Sequence, residues 1–172
     1  MIVTILTAVR GRSAWRTRDL VILCWAALMI AAFGLHGARA TEQWDESPEA
    51  GLAQRIALVI GNGAYSDAPL RNPPNDAQLM ARILRGLGFV VMERTDLGQA
   101  DMKRAILDFG RRLEKAGSDA VGLFFYAGHG LQLKGTNYLV PIDATIRREG
   151  DVEVLAVDAG WVLAQMEDAR NP

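Results

Sequence analysis

The sequence of 172 residues predicts an α/β domain built on a mostly parallel sheet. Three observations carry that expectation. Residues 56–60, 89–92 and 120–126 are short, wholly apolar runs, which suit strands buried on both faces. Between them lie stretches with apolar residues at helical spacing. Strands alternating with amphipathic helices specify a parallel sheet covered by helices. Half of the residues are apolar and 23% are charged, which excludes disorder and supports one packed domain.

In chain order, residues 41–54 are polar and acidic around Pro48 and read as a linker, so the folded domain is expected from Arg55. Ile56-Ala57-Leu58-Val59-Ile60 is the first strand, and residues 61–74 form a loop rich in turn formers. Asn75 or Asp76 is expected as the N-cap of a helix with Ala77, Met80, Ala81, Leu84 and Leu87 inward and Gly88 as its stop. Phe89-Val90-Val91-Met92 is the second strand. A second helix, from about Asp101 to near Gly117, places Met102, Ala105, Ile106, Phe109 and Leu113 on one face. The third strand, 120–126, runs into Ala127-Gly128-His129-Gly130, and residues 131–140 read as a separate small hairpin around Lys134-Gly135-Thr136. A last helix is expected over about 158–169, with Trp161, Val162, Met166 and Ala169 inward. In such a sheet, ligands gather beyond the carboxyl ends of the strands. That nominates residues 61–74, the loop after Met92 and residues 128–133 as the functional edge.

Residues 1–40 read differently. Four arginines (Arg10, Arg12, Arg16, Arg18) precede an uncharged run over 20–35, and Ala38-Arg39-Ala40 follows. This is the pattern of a signal peptide cleaved before Thr41, and the run is shorter than the ~20 residues that span a bilayer untilted. The expectation is a periplasmic or secreted domain with no stable membrane span after cleavage; retention of residues 20–35 as an inner-membrane anchor is the alternative. Cleavage would remove Cys24 and His36, the only cysteine and one of the two histidines. Residues 41–172 then encode no disulfide, no Cys/His zinc site and no calcium loop, so no metal site is expected. Five of the 19 basic residues and one of the 20 acidic ones lie in residues 1–40, leaving a net charge of −5 on the remainder. With only the short pairs Arg111-Arg112 and Arg147-Arg148, nucleic acid is excluded as a partner.

His129 stands between two glycines at the functional edge, where an imidazole titrating near neutrality can serve as a general base. The Gly130 N–H beside it can donate to a developing oxyanion. A histidine making only a local turn contact fits the position equally. Gly61-Asn62-Gly63 lacks the third glycine of the dinucleotide fingerprint and the Gly-Lys-Ser/Thr end of a P-loop. Asp76 reads as a helix cap whose carboxylate could also meet a cationic substrate group. No Gly-x-Ser-x-Gly nucleophile elbow occurs.

Taken together, Arg55-Ile-Ala-Leu-Val-Ile-Gly-Asn62, Tyr65, Leu70, Asn75-Asp76-Ala77, Leu87-Gly88-Phe89, Phe125-Tyr126-Ala127-Gly128-His129-Gly130 and Asn137-Tyr138-Leu139-Val140-Pro141-Ile142-Asp143-Ala144 resemble the bacterial caspase-like proteins, the metacaspase-related members of the peptidase C14 family. The resemblance covers residues 55–172 and implies a three-layer caspase-like fold with a mostly parallel sheet. It implies a cysteine-type endopeptidase with a Cys-His dyad and a peptide or protein substrate. His129 matches the family's catalytic histidine, Gly130 the glycine of the oxyanion hole, and Asp76 the acid that receives a basic side chain, so cleavage after Arg or Lys is implied. Ala127 stands where relatives often have Ser. No cofactor is implied apart from the calcium dependence of some members, for which no recognisable loop is encoded. In the family the nucleophilic Cys follows a fourth strand. The sequence stops before such a strand, so this form is expected to be inactive, with a non-catalytic peptide-binding module as the alternative. The third strand is then expected to present an open apolar edge, which would make residues 41–172 alone prone to aggregation.

Overall fold

The computed structural model describes residues 2–9 and 53–169. The apolar run over 20–35, the cleavage site before Thr41, the linker up to residue 52, Cys24 and His36 lie outside the described residues. The elements are β1 (Ile2–Val9), β2 (Arg55–Gly61), α1 (Pro73–Gly86), β3 (Val90–Thr95), α2 (Gln99–Ala116), β4 (Val121–Leu133), β5 (Thr136–Leu139), α3 (Glu149–Leu155), β6 (Val157–Asp158) and α4 (Ala159–Asp168). The strand order is β3-β2-β4-β5-β6, with β1 also paired to β4. β2 runs parallel to both β3 and β4, while β1, β5 and β6 join antiparallel and make the whole sheet mixed.

Residue alternation along the parallel strands builds three layers. Ala57, Val59, Leu123, Phe125 and Ala127 meet Ala77, Ala81 and Leu84 of α1 on one face. Ile56, Leu58, Ile60, Phe124 and Tyr126 meet Met102, Ile106, Phe109 and Leu113 of α2 and Val162 and Met166 of α4 on the other. β2 is apolar and buried from Ile56 to Gly61 because it is the central strand of the parallel set, covered on both faces.

Several boundaries differ from the sequence expectation for physical reasons. α1 begins at Pro73, with Asn72 as N-cap. Two prolines serve well there, because the first turn has no intrahelical use for their missing N–H groups. Asp76 is therefore not the cap. It lies in the first turn, where its N–H donates to the Asn72 carbonyl at 2.9 Å. The far end follows expectation: Gly88 has φ +80°, its N–H donates to Arg85 O at 3.1 Å, and the Phe89 N–H donates to Leu84 O at 3.0 Å, a Schellman stop. β3 continues through Glu93, Arg94 and Thr95. Those polar residues are tolerated because β3 ends the strand order. α3 and β6, of seven and two residues, are too short to leave a periodic signal.

The expected third strand and the first arm of the hairpin are one strand, β4, of 13 residues. Its turn has positive φ at Lys134 and Gly135, the type I′ geometry that suits strand twist. The edge of β4 is not open. Ile2–Val9 pairs along it, from Ile2 opposite His129 to Val9 opposite Gly122. A row of unpaired N–H and C=O groups recruits whatever strand is within reach. Local sequence patterns could not show that the recruit comes from the extreme N-terminus.

Candidate active site

The pairing of β4 with β2 ends at Ala127, opposite Gly61. His129 therefore stands two residues beyond the carboxyl end of β2, at the edge that the topology nominates. Its parity places it on the α1 side of the sheet, below the loop that joins β2 to α1. His129 Nε2 is 2.7 Å from the Ala68 carbonyl oxygen in that loop. A carbonyl can only accept, so Nε2 carries the proton and Nδ1 of the neutral ring is left as an acceptor. The Tyr65 ring lies against the imidazole, with centroids 4.4 Å apart and planes tilted by 58°. One loop thus fixes both the tautomer and the ring face.

The His129 backbone is held as firmly. Its N–H donates to Tyr65 Oη at 3.0 Å, and Tyr126 Oη donates to its carbonyl at 2.9 Å. Both hydroxyls also lie 3.0 Å from Val140 O. Burial pushes both phenols up from their ordinary range, so they stay protonated donors. Gly128 makes this possible, because a Cβ there would sit 2.5 Å from Tyr126 Oη and 2.7 Å from Tyr65 Oη.

Gly130 pairs with Leu139 in the β4–β5 ladder. The preceding pair is bonded, Val140 N–H donating to His129 O at 3.0 Å. Antiparallel bonding alternates, so the Gly130 N–H is turned away from β5. Asp76 is brought to the same sheet face by the first turn of α1, with its side chain exposed. Among the described residues no Lys or Arg forms an ion pair with it.

The surrounding loops are fixed by residues to which sequence reasoning assigned no role. Asn62 is fully buried, accepts from Leu97 N–H at 2.9 Å and donates to Leu97 O at 3.2 Å, which ties the loop after β3 to the one after β2. Asp96, at φ +53°, accepts from the Gly63 and Ala64 N–H groups at 2.8 and 2.9 Å. Those are the amides that a phosphate would have used, so Gly61-Asn62-Gly63 holds an internal carboxylate instead. Asp143 of the Asn-Tyr-Leu-Val-Pro-Ile-Asp segment accepts from the Gln99 N–H at 2.9 Å and so caps α2 from outside that helix. Tyr65, Asn62 and Tyr126 stand in the motifs that carry the resemblance; Ala68, acting through its carbonyl, leaves no mark in a sequence.

The family model of the caspase domain of the C14 peptidases matches residues 54–160. The chain belongs to the caspase-domain family. Human mucosa-associated lymphoid tissue lymphoma translocation protein 1 is 36% identical over 104 residues, 60% of this chain and 12% of that protein. Its mouse homolog is 37% identical over 91 residues, 52% of this chain and 11% of that protein. Cat caspase-1 is 34% identical over 120 residues, 68% of this chain and 26% of that protein. The caspase domain described here thus corresponds to a small part of each relative's length. Among the described residues, no helix is long and apolar enough to cross a membrane, and no group of three or more His, Cys, Asp or Glu is placed to hold a metal ion.

Proposed function

We propose that this caspase domain belongs to a cysteine-type endopeptidase that cleaves protein or peptide substrates after Arg or Lys. The nucleophile is a thiol on a strand that follows residue 172. The observation that carries the reading is the bond from His129 Nε2–H to Ala68 O, because it leaves Nδ1 as the proton acceptor. In the reaction the thiol proton passes to Nδ1, and the thiolate attacks the scissile carbonyl. The oxyanion accepts from the Gly130 N–H, the imidazolium returns its proton to the leaving amine, and water then releases the acyl group. Asp76 receives the cationic side chain of the substrate, for which a carboxylate paired with a guanidinium is the natural match. We further propose that the leader-like residues 1–40 deliver the domain to the periplasm or the exterior.

The test uses the full-length gene product on Arg and Lys reporter peptides. His129→Ala is expected to lower kcat by at least about a hundredfold, the scale of a lost general base. Asp76→Ala is expected to raise KM for the Arg peptide while a neutral one is unaffected. Equal rates in wild type and His129→Ala would sink the peptidase reading. That result would favour a non-catalytic peptide-binding module.

A further inference from the structure

We propose that Tyr65 and Tyr126 are positioning residues for His129, their hydroxyls forming a wedge in the β4–β5 ladder that fixes the orientation of the imidazole. The proposal rests on the reading of His129 as the base, and it concerns how that base is held rather than whether it acts.

In a regular antiparallel ladder, two facing residues of a bonded pair exchange two N–H···O=C bonds. His129 and Val140 occupy such a position and exchange only one, from Val140 N–H to His129 O at 3.0 Å. The return bond is absent from its usual place. The His129 N–H donates instead to Tyr65 Oη at 3.0 Å, and that oxygen lies 3.0 Å from Val140 O. A phenol has been inserted where the backbone would have closed on itself.

Tyr126 Oη completes the wedge, 2.9 Å from His129 O, 3.0 Å from Val140 O and 3.2 Å from Tyr65 Oη. Two hydroxyl protons face two carbonyl oxygens. Donation from Tyr65 to Val140 and from Tyr126 to His129 satisfies both, with Tyr65 still accepting from the His129 N–H. Neither hydroxyl could enter if residue 128 carried a side chain, so Gly128 belongs to the same device. Tyr65 reaches this point from the loop that also supplies Ala68 O, three residues later, and its ring lies against the imidazole. Loop, hydroxyls and ring therefore fix the His129 backbone and its Nε2–H bond together. Without the wedge, His129 N–H can close directly on Val140 O, which draws the residue towards β5 and away from Ala68.

The experiment reads the imidazole itself and needs no nucleophile. Long-range ¹⁵N–¹H NMR correlation of the full chain, at a pH about two units above the ordinary imidazole pKa of ~6.5, reports which ring nitrogen carries the proton. Comparison with His129→Gln separates its signals from those of His36. Wild-type His129 is expected as the Nε2–H form alone. In Tyr65→Phe, and separately in Tyr126→Phe, which keeps the Tyr65 contacts, the Nδ1–H form is expected to appear. Retention of the wild-type tautomer in the folded variants overturns the proposal, whatever the change in melting temperature. Failure of the peptidase reading would show in the reporter assay and leave this result untouched.

Discussion

Gly128 has little latitude beside His129. Any Cβ there enters the space of two hydroxyls that are each anchored to backbone, so neither can swing aside as a flexible side chain would. Gly128→Ala is therefore expected to lower unfolding stability by about 1–3 kcal/mol, the usual scale of overpacking in a close-packed interior. Denaturant unfolding of the full chain checks it, and a midpoint equal to wild type would mean that the tyrosines move freely. At this scale the sequence was only partly legible. His129 and Gly130 stood out because a polar side chain between glycines at a strand end is unusual, and the structure places both at the nominated edge. Tyr65, Ala68 and Asn62 did not, since their bonds to Tyr126, His129 and Leu97 join residues 61, 61 and 35 positions apart. No local pattern records which distant backbone group a tyrosine or an asparagine will meet.

Elements show where capping decides boundaries. α1 starts at two prolines rather than at the nearest Asn or Asp, and α2 takes its cap from Asp143, far along the chain. α3 is held at its start by Asp151, whose carboxylate accepts from the Arg147 and Arg148 N–H groups at 3.0 and 2.9 Å. Those two bonds, first that from Arg147, hold the Asp151 carboxyl below the ordinary carboxylate range. A carboxyl with a lowered folded pKa favours folding above its unfolded value, and that contribution fades as pH falls through the folded value. The start of α3 is thus expected to fray on acidification below the usual Asp range. The chemical shifts and exchange rates of the Arg147 and Arg148 amides should follow that titration. Asp151→Asn should abolish their pH response, and a response unchanged in that variant would assign the cap elsewhere. Strands and long helices were legible because burial repeats along them: Met102, Ala105, Ile106, Phe109 and Leu113 are all buried on α2, as their spacing required. α3 and β6 were not, because their positions follow from tertiary hydrogen bonds.

At the scale of the whole molecule, the question is what closes the sheet beside His129. The parallel strands alternate their bonding directions, and the Asn62 N–H donates to Ala127 O at 2.9 Å on the β2 side. Odd-numbered residues of this part of β4 therefore bond towards β2 and even-numbered ones towards β1. In the register of β1, Ile5 faces Tyr126 and Thr7 faces Phe124, so these two residues bond to β4, while Thr4 and Leu6 turn their N–H groups away. Proline cannot donate to a ladder but is tolerated where an edge strand turns its N–H outward. The double variant Ile5→Pro, Thr7→Pro should therefore release β1, whereas Thr4→Pro, Leu6→Pro should retain it better. Release uncovers residues 122–129, which include Leu123, Phe124, Phe125 and Tyr126, and an apolar strand with free backbone groups invites pairing with another copy. Light scattering behind size exclusion is expected to show concentration-dependent association for the first variant and wild-type behaviour for the second. Cleavage before Thr41 would remove β1 and open the same edge. Identical elution of both variants and wild type would mean that β1 does not guard β4, and that the edge beside His129 is left to another strand.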